Sequence, residues 1–144
     1  MNLSRLTEQL KDHEGEIKKN GRHMPYKDSV NKLTIGYGRN LTDRGLSNSE
    51  AEYLLANDIQ EVIDGLRKSY WWFDTINEVR QEVVINMAFN LGLAGFAKFR
   101  NTVGYISDGN YKQAAANMLK SKWAIQVGYR ARELAREMET GVVA

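Results

Sequence analysis

The chain has 144 residues, of which 42% are hydrophobic and 26% are charged, and its formal net charge at pH 7 is +2. That length and apolar share predict one globular unit, or two small lobes that share a helix, and they argue against intrinsic disorder. The chain contains no cysteine, which excludes disulfide bonds, a cysteine nucleophile and a cysteine-based zinc site. The two histidines lack metal-ligand spacing, so we expect neither a metal ion nor a cofactor.

The first apolar pattern is helical. Leu3, Leu6 and Leu10 recur at spacings of three and four, which predicts an amphipathic helix from about residue 3 to residue 12. Such a helix delivers the carboxylate of Glu14 at its end. We expect a loop rich in Lys, Asn, Gly and Arg to follow it.

Two extended segments come next. Residues 24–27 and 33–37 favour strands, the second because it is rich in β-branched and aromatic side chains. Residues 28–31 between them predict a turn, since Asp and Asn bond to their own backbone and tolerate turn dihedrals. Asp28 therefore lies at a turn and Thr34 on a strand.

Glu14, Asp28 and Thr34 suit the hydrolysis of an acetal. A protonated carboxylic acid can donate to the leaving oxygen, and an ionised carboxylate can activate or orient water. A hydroxyl group can help to hold that water. Taken alone, the three side chains also fit ordinary solvated surface groups.

The surrounding residues resemble the catalytic region of bacteriophage lysozymes of the T-even type. The matching segments are His-Glu-Gly at 13–15, Pro-Tyr-Lys-Asp at 25–28, Thr-Ile-Gly-Tyr-Gly at 34–38 and Arg-Asn-Leu-Thr at 39–42. The resemblance implies that Glu14, Asp28 and Thr34 are catalytic. The interval between the two carboxylates is longer than the family's commonest one, because of an apparent insertion at 19–23. Glu16 is thus a competitor for the second carboxylate, but Asp28 keeps the family's spacing to Thr34.

Helices dominate the rest of the chain. A capping box at 47–50 begins a long apolar stripe that matches the family's linking helix. Further helices are predicted from Asn77 to Gly92, through 96–106 as one helix, through 110–119, and downstream of Lys120. The resemblance implies five substrate contacts, which are Tyr37, Arg39, Asn90, Lys122 and Gln126.

We therefore expect a mostly α-helical α+β lysozyme fold, with residues 1–144 forming one domain of two lobes. The small lobe would comprise 13–66, with a β-hairpin and the linking helix. The helical lobe would comprise 1–12 together with 67–144. A monomer is expected.

The function implied by the resemblance is that of an endolysin. Such an enzyme is a muramidase, and its substrate is the glycan of peptidoglycan. We expect it to invert the configuration of the anomeric carbon. The first residues carry charges throughout, so we expect no signal peptide and no membrane insertion. The protein would then stay in the host cytoplasm until a holin releases it to the wall.

Two alternatives remain open. A lytic transglycosylase needs the general acid, Glu14, but uses a hydroxyl group of the muramic acid in place of water. A non-catalytic binding protein for cell wall or nucleic acid would use the basic second half, where residues 98–136 carry eight basic side chains against two acidic ones. We favour the enzyme and expect no nucleic-acid partner.

Overall fold

A computed structural model describes all residues, 1–144. The chain divides into two compact units, Met1–Tyr53 and Leu54–Ala144. Short antiparallel strands in the first unit and helices in the second confirm the predicted α+β, mostly α-helical lysozyme fold. The finer prediction, which assigns residues 1–12 together with 67–144 to the helical lobe, stays a prediction.

The first unit alternates short strands with helices. Its elements are α1 (Leu3–Glu14), β1 (Lys18–Lys19), β2 (Arg22–His23), β3 (Tyr26–Lys27), β4 (Leu33–Ile35), β5 (Arg39–Asn40), α2 (Leu41–Arg44) and the first part of α3 (Asn48–Ser69). The side chain of Asn2 accepts the N–H of Arg5 and caps α1. Helix α1 runs to Glu14, two residues beyond the predicted end at about residue 12, and it stops before Gly15, which has a φ of 69°.

Two antiparallel sheets form in this unit. Strands β3, β4 and β5 make a three-stranded sheet with β4 in the middle, and Thr34 pairs with Tyr26 on one side and Asn40 on the other. The turn predicted at 28–31 lies between β3 and β4. Thr34 is buried, with 4% of its surface exposed.

The segment predicted as a loop after α1 is a two-stranded hairpin. Lys18 pairs with His23 and Lys19 with Arg22, so the loop prediction was wrong. Asn20 and Gly21 form the turn with φ values of 53° and 78°. Asn-Gly is the preferred pair for a two-residue hairpin turn, because both positions need positive φ.

The start of α3 confirms the predicted capping box. The N–H of Ser47 donates to the carboxylate of Glu50 at 2.8 Å, and the N–H of Glu50 donates to the Ser47 hydroxyl at 3.2 Å. The short helix α2, which was not predicted, ends at Arg44 just before this start, and its first turn is capped by Asn40. The boundary between the two compact units falls inside α3.

The second unit is helical. After the remainder of α3 it contains a 3-10 turn (Phe73–Thr75), α4 (Glu78–Leu91), α5 (Leu93–Ala97), α6 (Arg100–Ser107), α7 (Tyr111–Leu119), α8 (Lys122–Val127) and α9 (Tyr129–Thr140). Its core is built from fully buried apolar side chains of several helices. The largest of them are Phe73, Phe96, Leu66, Met87, Ile106, Met118 and Met138.

The single helix predicted through 96–106 is in fact two helices. Helix α5 ends at Ala97, and Phe99 leaves the helical region with a ψ of 55° before α6 begins. The ring of Phe99 packs edge-on against Trp123, with centroids 6.1 Å apart. None of the helices has the length and apolar character needed to cross a membrane.

Candidate active site

Glu14 occupies the last position of α1. The N–H of Gly15 donates to the carbonyl of Lys11 at 3.1 Å, which closes the final turn around the catalytic candidate. The side chain of Glu14 is exposed. Its backbone is therefore fixed by the helix, while its carboxyl group depends on neighbouring residues for its orientation.

One such neighbour is Gly38, in the turn between β4 and β5. A β-carbon placed on Gly38 would lie 2.9 Å from Oε2 of Glu14 and 3.1 Å from its Cδ. Carbon and oxygen atoms do not approach that closely in ordinary van der Waals contact. The carboxyl group of Glu14 thus occupies the space that a side chain at position 38 would fill.

Asp28 holds the turn between β3 and β4. Its Oδ1 accepts hydrogen bonds from the N–H of Val30 at 3.0 Å and from the N–H of Lys32 at 2.8 Å. Its own N–H donates to the carbonyl of Lys32 at 2.9 Å. The second carboxylate oxygen, Oδ2, takes part in none of these bonds, so the turn is held by Oδ1 and the main chain of Asp28.

Thr34 is joined to the same turn. Its hydroxyl donates to the carbonyl of Lys32 at 3.0 Å. Asp28 thus accepts the N–H of Lys32, and Thr34 donates to the carbonyl of the same residue. The side chain of Lys32 reaches Asp43, with Nζ 3.2 Å from Oδ1. Asp28 in the turn and Thr34 on β4 are therefore both bonded to Lys32, in the same compact unit as Glu14.

Arg39 binds within the protein. Its Nη1 donates to Oε1 of Glu50 at 2.8 Å and to the carbonyl of Gly45 at 3.2 Å, and its Nη2 lies 2.5 Å from Oε2 of Glu50. The hydrogen bond from Arg39, followed by those from Ser47, lowers the pKa of Glu50 from 4.5 to about 2. The same hydrogen bond raises the pKa of Arg39. The assignment of Arg39 as a substrate contact stays a prediction.

Tyr37 is exposed on the same turn as Gly38. Its ring lies 5.0 Å from that of His23 in an edge-on arrangement, and Nζ of Lys11 lies 5.2 Å from its centroid. Tyr37 borders a surface depression, and its assignment as a substrate contact also stays a prediction. The residues that line the depression are Glu8, Gln9, Lys11, Asp12, Gly15, Glu16 and Tyr37.

Glu16, the competitor for the second carboxylate, is engaged with the β1–β2 hairpin. Its Oε1 lies 3.3 Å from Nζ of Lys18, and its Oε2 lies 3.9 Å from Nε2 of His23. Asp28, by contrast, is bonded to the turn that also holds Thr34. Asp28, and not Glu16, therefore shares a hydrogen-bond partner with Thr34, and the choice of Asp28 as the second carboxylate stays a prediction.

The other three predicted substrate contacts lie in the second unit. Asn90 is exposed, and its Oδ1 accepts the indole N–H of Trp123 at 2.9 Å. Lys122 and Gln126 are exposed on α8. The indole therefore fixes which way the Asn90 amide points, with its N–H₂ group left to face other partners.

Two surface depressions mark the second unit, and only the basic character of one of them was expected from the sequence. Arg130 donates to Oδ1 of Asn86 through Nε at 2.9 Å and Nη2 at 2.5 Å, at the edge of an apolar depression. A second depression is basic, and no carboxylate lines it. Its residues are Lys98, Phe99, Arg100, Asn101, Asn117, Lys120 and Ser121.

Sequence reasoning missed the roles of Lys32 and Gly38. The contribution of Lys32 is made by its main chain, which carries no sequence signal. Gly38 had a signal in the Gly-Tyr-Gly run, because glycine marks positive φ or a close approach. The sequence gives no indication that the approaching group is the carboxyl of Glu14.

Comparison with known proteins finds similarity to lysozymes. Residues 11–139 match a family model described as Phage lysozyme. An endolysin of Bacillus phage B103 is 33% identical over 91 residues, which cover 60% of this chain and 34% of the endolysin. Two Dictyostelium discoideum proteins are named probable T4-type lysozyme 2 and probable T4-type lysozyme 1. They are 24% and 22% identical to this chain, respectively, over 170 residues. Each alignment covers 98% of this chain and 97% of the relative. The chain thus spans about a third of the phage endolysin and nearly all of the Dictyostelium proteins.

Proposed function

The chain belongs to the phage lysozyme family, and from that premise we propose that it hydrolyses the β-1,4 bond between N-acetylmuramic acid and N-acetylglucosamine. Phage lysozymes are glycoside hydrolases of the cell wall, so the coarse class of the reaction follows from membership. The finer proposal concerns the bond that is cleaved and the residues that cleave it. The observation that carries it is the shared attachment of Asp28 and Thr34 to Lys32, in the unit that also holds Glu14.

Glu14 is the proposed general acid. Cleavage of a glycosidic bond leaves an alkoxide-like oxygen on the departing sugar, and a carboxylic acid that donates its proton there removes the developing charge. Glu14 lies at a helix end and its carboxyl group lies against Gly38, so the position from which the proton is donated is fixed.

Asp28 and Thr34 are the proposed water-holding pair. The Thr34 hydroxyl gives its hydrogen to Lys32, so towards a water molecule it offers only lone pairs. An ionised Asp28 also offers only lone pairs. A water molecule that donates its two hydrogens to these two acceptors turns its own lone pair outward, and loss of one proton to Asp28 makes it a better nucleophile.

Attack by such a water on the face opposite the acid inverts the anomeric carbon. No covalent enzyme intermediate is needed, and neither is a metal ion or cofactor. Tyr37, Arg39, Asn90, Lys122 and Gln126 are proposed to contact the glycan, and the enzyme is proposed to act as a monomer.

The proposed biological role is that of an endolysin. The protein would accumulate in the cytoplasm of an infected host, and a holin would open the route to the wall. Lysis would follow from loss of glycan strands. The naming of one relative as an endolysin supports this role.

A lytic transglycosylase and a non-catalytic wall binder are the competing functions. The first would leave Asp28 and Thr34 without a water to hold. The second is favoured by the basic depression around Lys98, Arg100 and Lys120, which suits a polyanion. Mass analysis of muropeptides released from purified peptidoglycan separates the three. Hydrolysis releases products with a free reducing end, a transglycosylase releases anhydro sugars, and a binder releases nothing.

A further inference from the structure

Two glycines of the β4–β5 turn differ in what a β-carbon would meet there. Gly36 and Gly38 both have positive φ, 67° and 82°. A β-carbon on Gly36 would meet no atom within 4 Å, whereas one on Gly38 would lie within 3.2 Å of three atoms of Glu14. The cost of a side chain to the backbone is thus similar at both positions, and the contact with Glu14 is found at position 38 alone.

The backbone of Gly38 is held in place from several directions. Arg39, the next residue, pairs with Ile35 in the sheet and is bonded to Glu50 through its guanidinium group. On the other side, the ring of Tyr37 contacts Lys11 and His23. A β-carbon at position 38 would therefore displace the carboxyl group of Glu14, which is the free end of a side chain, rather than move the turn.

We propose that Gly38 is a positioning residue for Glu14, because its missing side chain gives the carboxyl group a surface to lie against and fixes where the acidic proton is presented. The proposal rests on the proposed function, in which Glu14 is the acid. Gly38 itself touches neither water nor substrate in this account. Its effect on the reaction passes entirely through the orientation of Glu14.

The direct test compares Gly38→Ala with Gly36→Ala. Both substitutions place alanine at positive φ, so both should lower the melting temperature by a similar few degrees. Gly38→Ala should also lower kcat roughly a hundredfold, with KM within about twofold of the parent, because a misplacement of about 1 Å can cost that much. Gly36→Ala should keep kcat within about threefold. Equal kcat values in the two variants would overturn the proposal.

A double substitution separates positioning from general damage. Glu14→Asp withdraws the carboxyl group by one methylene and should cost the parent enzyme most of its activity. In the Gly38→Ala background, where the group is already displaced, the same change should cost much less. Losses that simply multiply would mean that Gly38→Ala acts independently of Glu14 and would contradict the proposal.

Asparagine provides a second pair of variants in case the alanine variant fails to fold. Asn tolerates positive φ better than Ala, and this chain already places Asn20 and Asn31 there. Gly38→Asn should lose activity and Gly36→Asn should keep it. The proposed function fails separately, if Glu14→Gln remains active. The positioning role fails if Glu14→Gln is inactive while the variants at positions 36 and 38 are equally active.

Discussion

Arg39 and Glu50 form a paired contact, with Nη1 to Oε1 at 2.8 Å and Nη2 to Oε2 at 2.5 Å. The contact joins β5 to the first turn of α3. Strand β5 directly follows the turn that contains Gly38, against which the carboxyl group of Glu14 lies. Glu50 also accepts the N–H of Ser47. One carboxylate therefore closes the helix start and anchors the strand.

This pair predicts a pH-dependent contribution to stability. The pKa of Glu50 is about 2 in the folded protein against an ordinary value of 4.5. The unfolded chain binds the proton more readily, so the stabilisation is fully present above pH 4.5 and is lost as pH falls towards 2. Glu50→Gln should thus have a lower melting temperature than the parent at pH 6, and the difference should shrink steadily below pH 4.5. A difference that is constant from pH 6 to pH 2.5 would contradict this reading of the pair.

Replacement of the proposed acid should abolish activity without affecting the fold. Glu14→Gln keeps the shape of the side chain but cannot donate the proton, and general acid catalysis contributes roughly a hundredfold to ten-thousandfold. Clearing of cell-wall suspensions should fall by about that factor, while the far-UV circular dichroism and the melting temperature stay at parent values. Activity within about threefold of the parent would remove Glu14 from the mechanism.

Asp28 should show separable structural and chemical roles. Asp28→Asn retains an oxygen for the N–H groups of Val30 and Lys32, so the turn should survive, but an amide is a poor base and turnover should fall strongly. Asp28→Ala removes both hydrogen bonds as well, and we expect a further loss of about 1–3 kcal/mol in the free energy of unfolding. Urea unfolding and turnover are measured on both variants.

Glu16→Gln is the matched control for Asp28, since Glu16 is bonded to the hairpin instead. Its turnover should stay near that of the parent. Strong activity in Asp28→Asn, together with loss in Glu16→Gln, would show that the second carboxylate is Glu16.

The basic surface of the second unit should influence activity on whole cells. Lys120 lines the basic depression, and Lys122 is exposed two residues later. If these charges collect the enzyme on an anionic wall, clearing of intact cells should weaken as salt rises, because ions screen exposed charges over about 10 Å at 0.1 M. Lys120→Glu with Lys122→Glu should give low clearing with little salt dependence. A double variant with the parent's salt profile would exclude a role for the two lysines.

Much of the fold could be predicted because its signals are local. Three features follow from spacing and side-chain chemistry within a few residues. They are the apolar stripe of α1, the helix that starts at Asn77, whose side chain accepts the N–H of Arg80, and the capping box at Ser47. The Asn20–Gly21 hairpin had a local signal as well, which the interpretation of this segment as a loop overlooked.

The candidate site was harder to predict because its contacts are not local. Arg39 and Glu50 are eleven residues apart, and either could have paired elsewhere. The proximity of Gly38 to Glu14 depends on how the β4–β5 turn folds back towards the end of α1. The attachment of Asp28 and Thr34 to one residue runs through the peptide groups of Lys32, which every residue type possesses.

The stereochemistry of the first product shows whether water or a protein nucleophile attacks the anomeric carbon. If Asp28 and Thr34 hold water on the face opposite Glu14, the newly formed reducing end is the α-anomer. Proton NMR of the anomeric signal, recorded within the first minutes and before mutarotation, distinguishes the two anomers. We expect the α-anomer as the initial product. Initial formation of the β-anomer would exclude a water molecule held by Asp28 and Thr34 as the attacking group, because retention requires a nucleophile of the protein at that place.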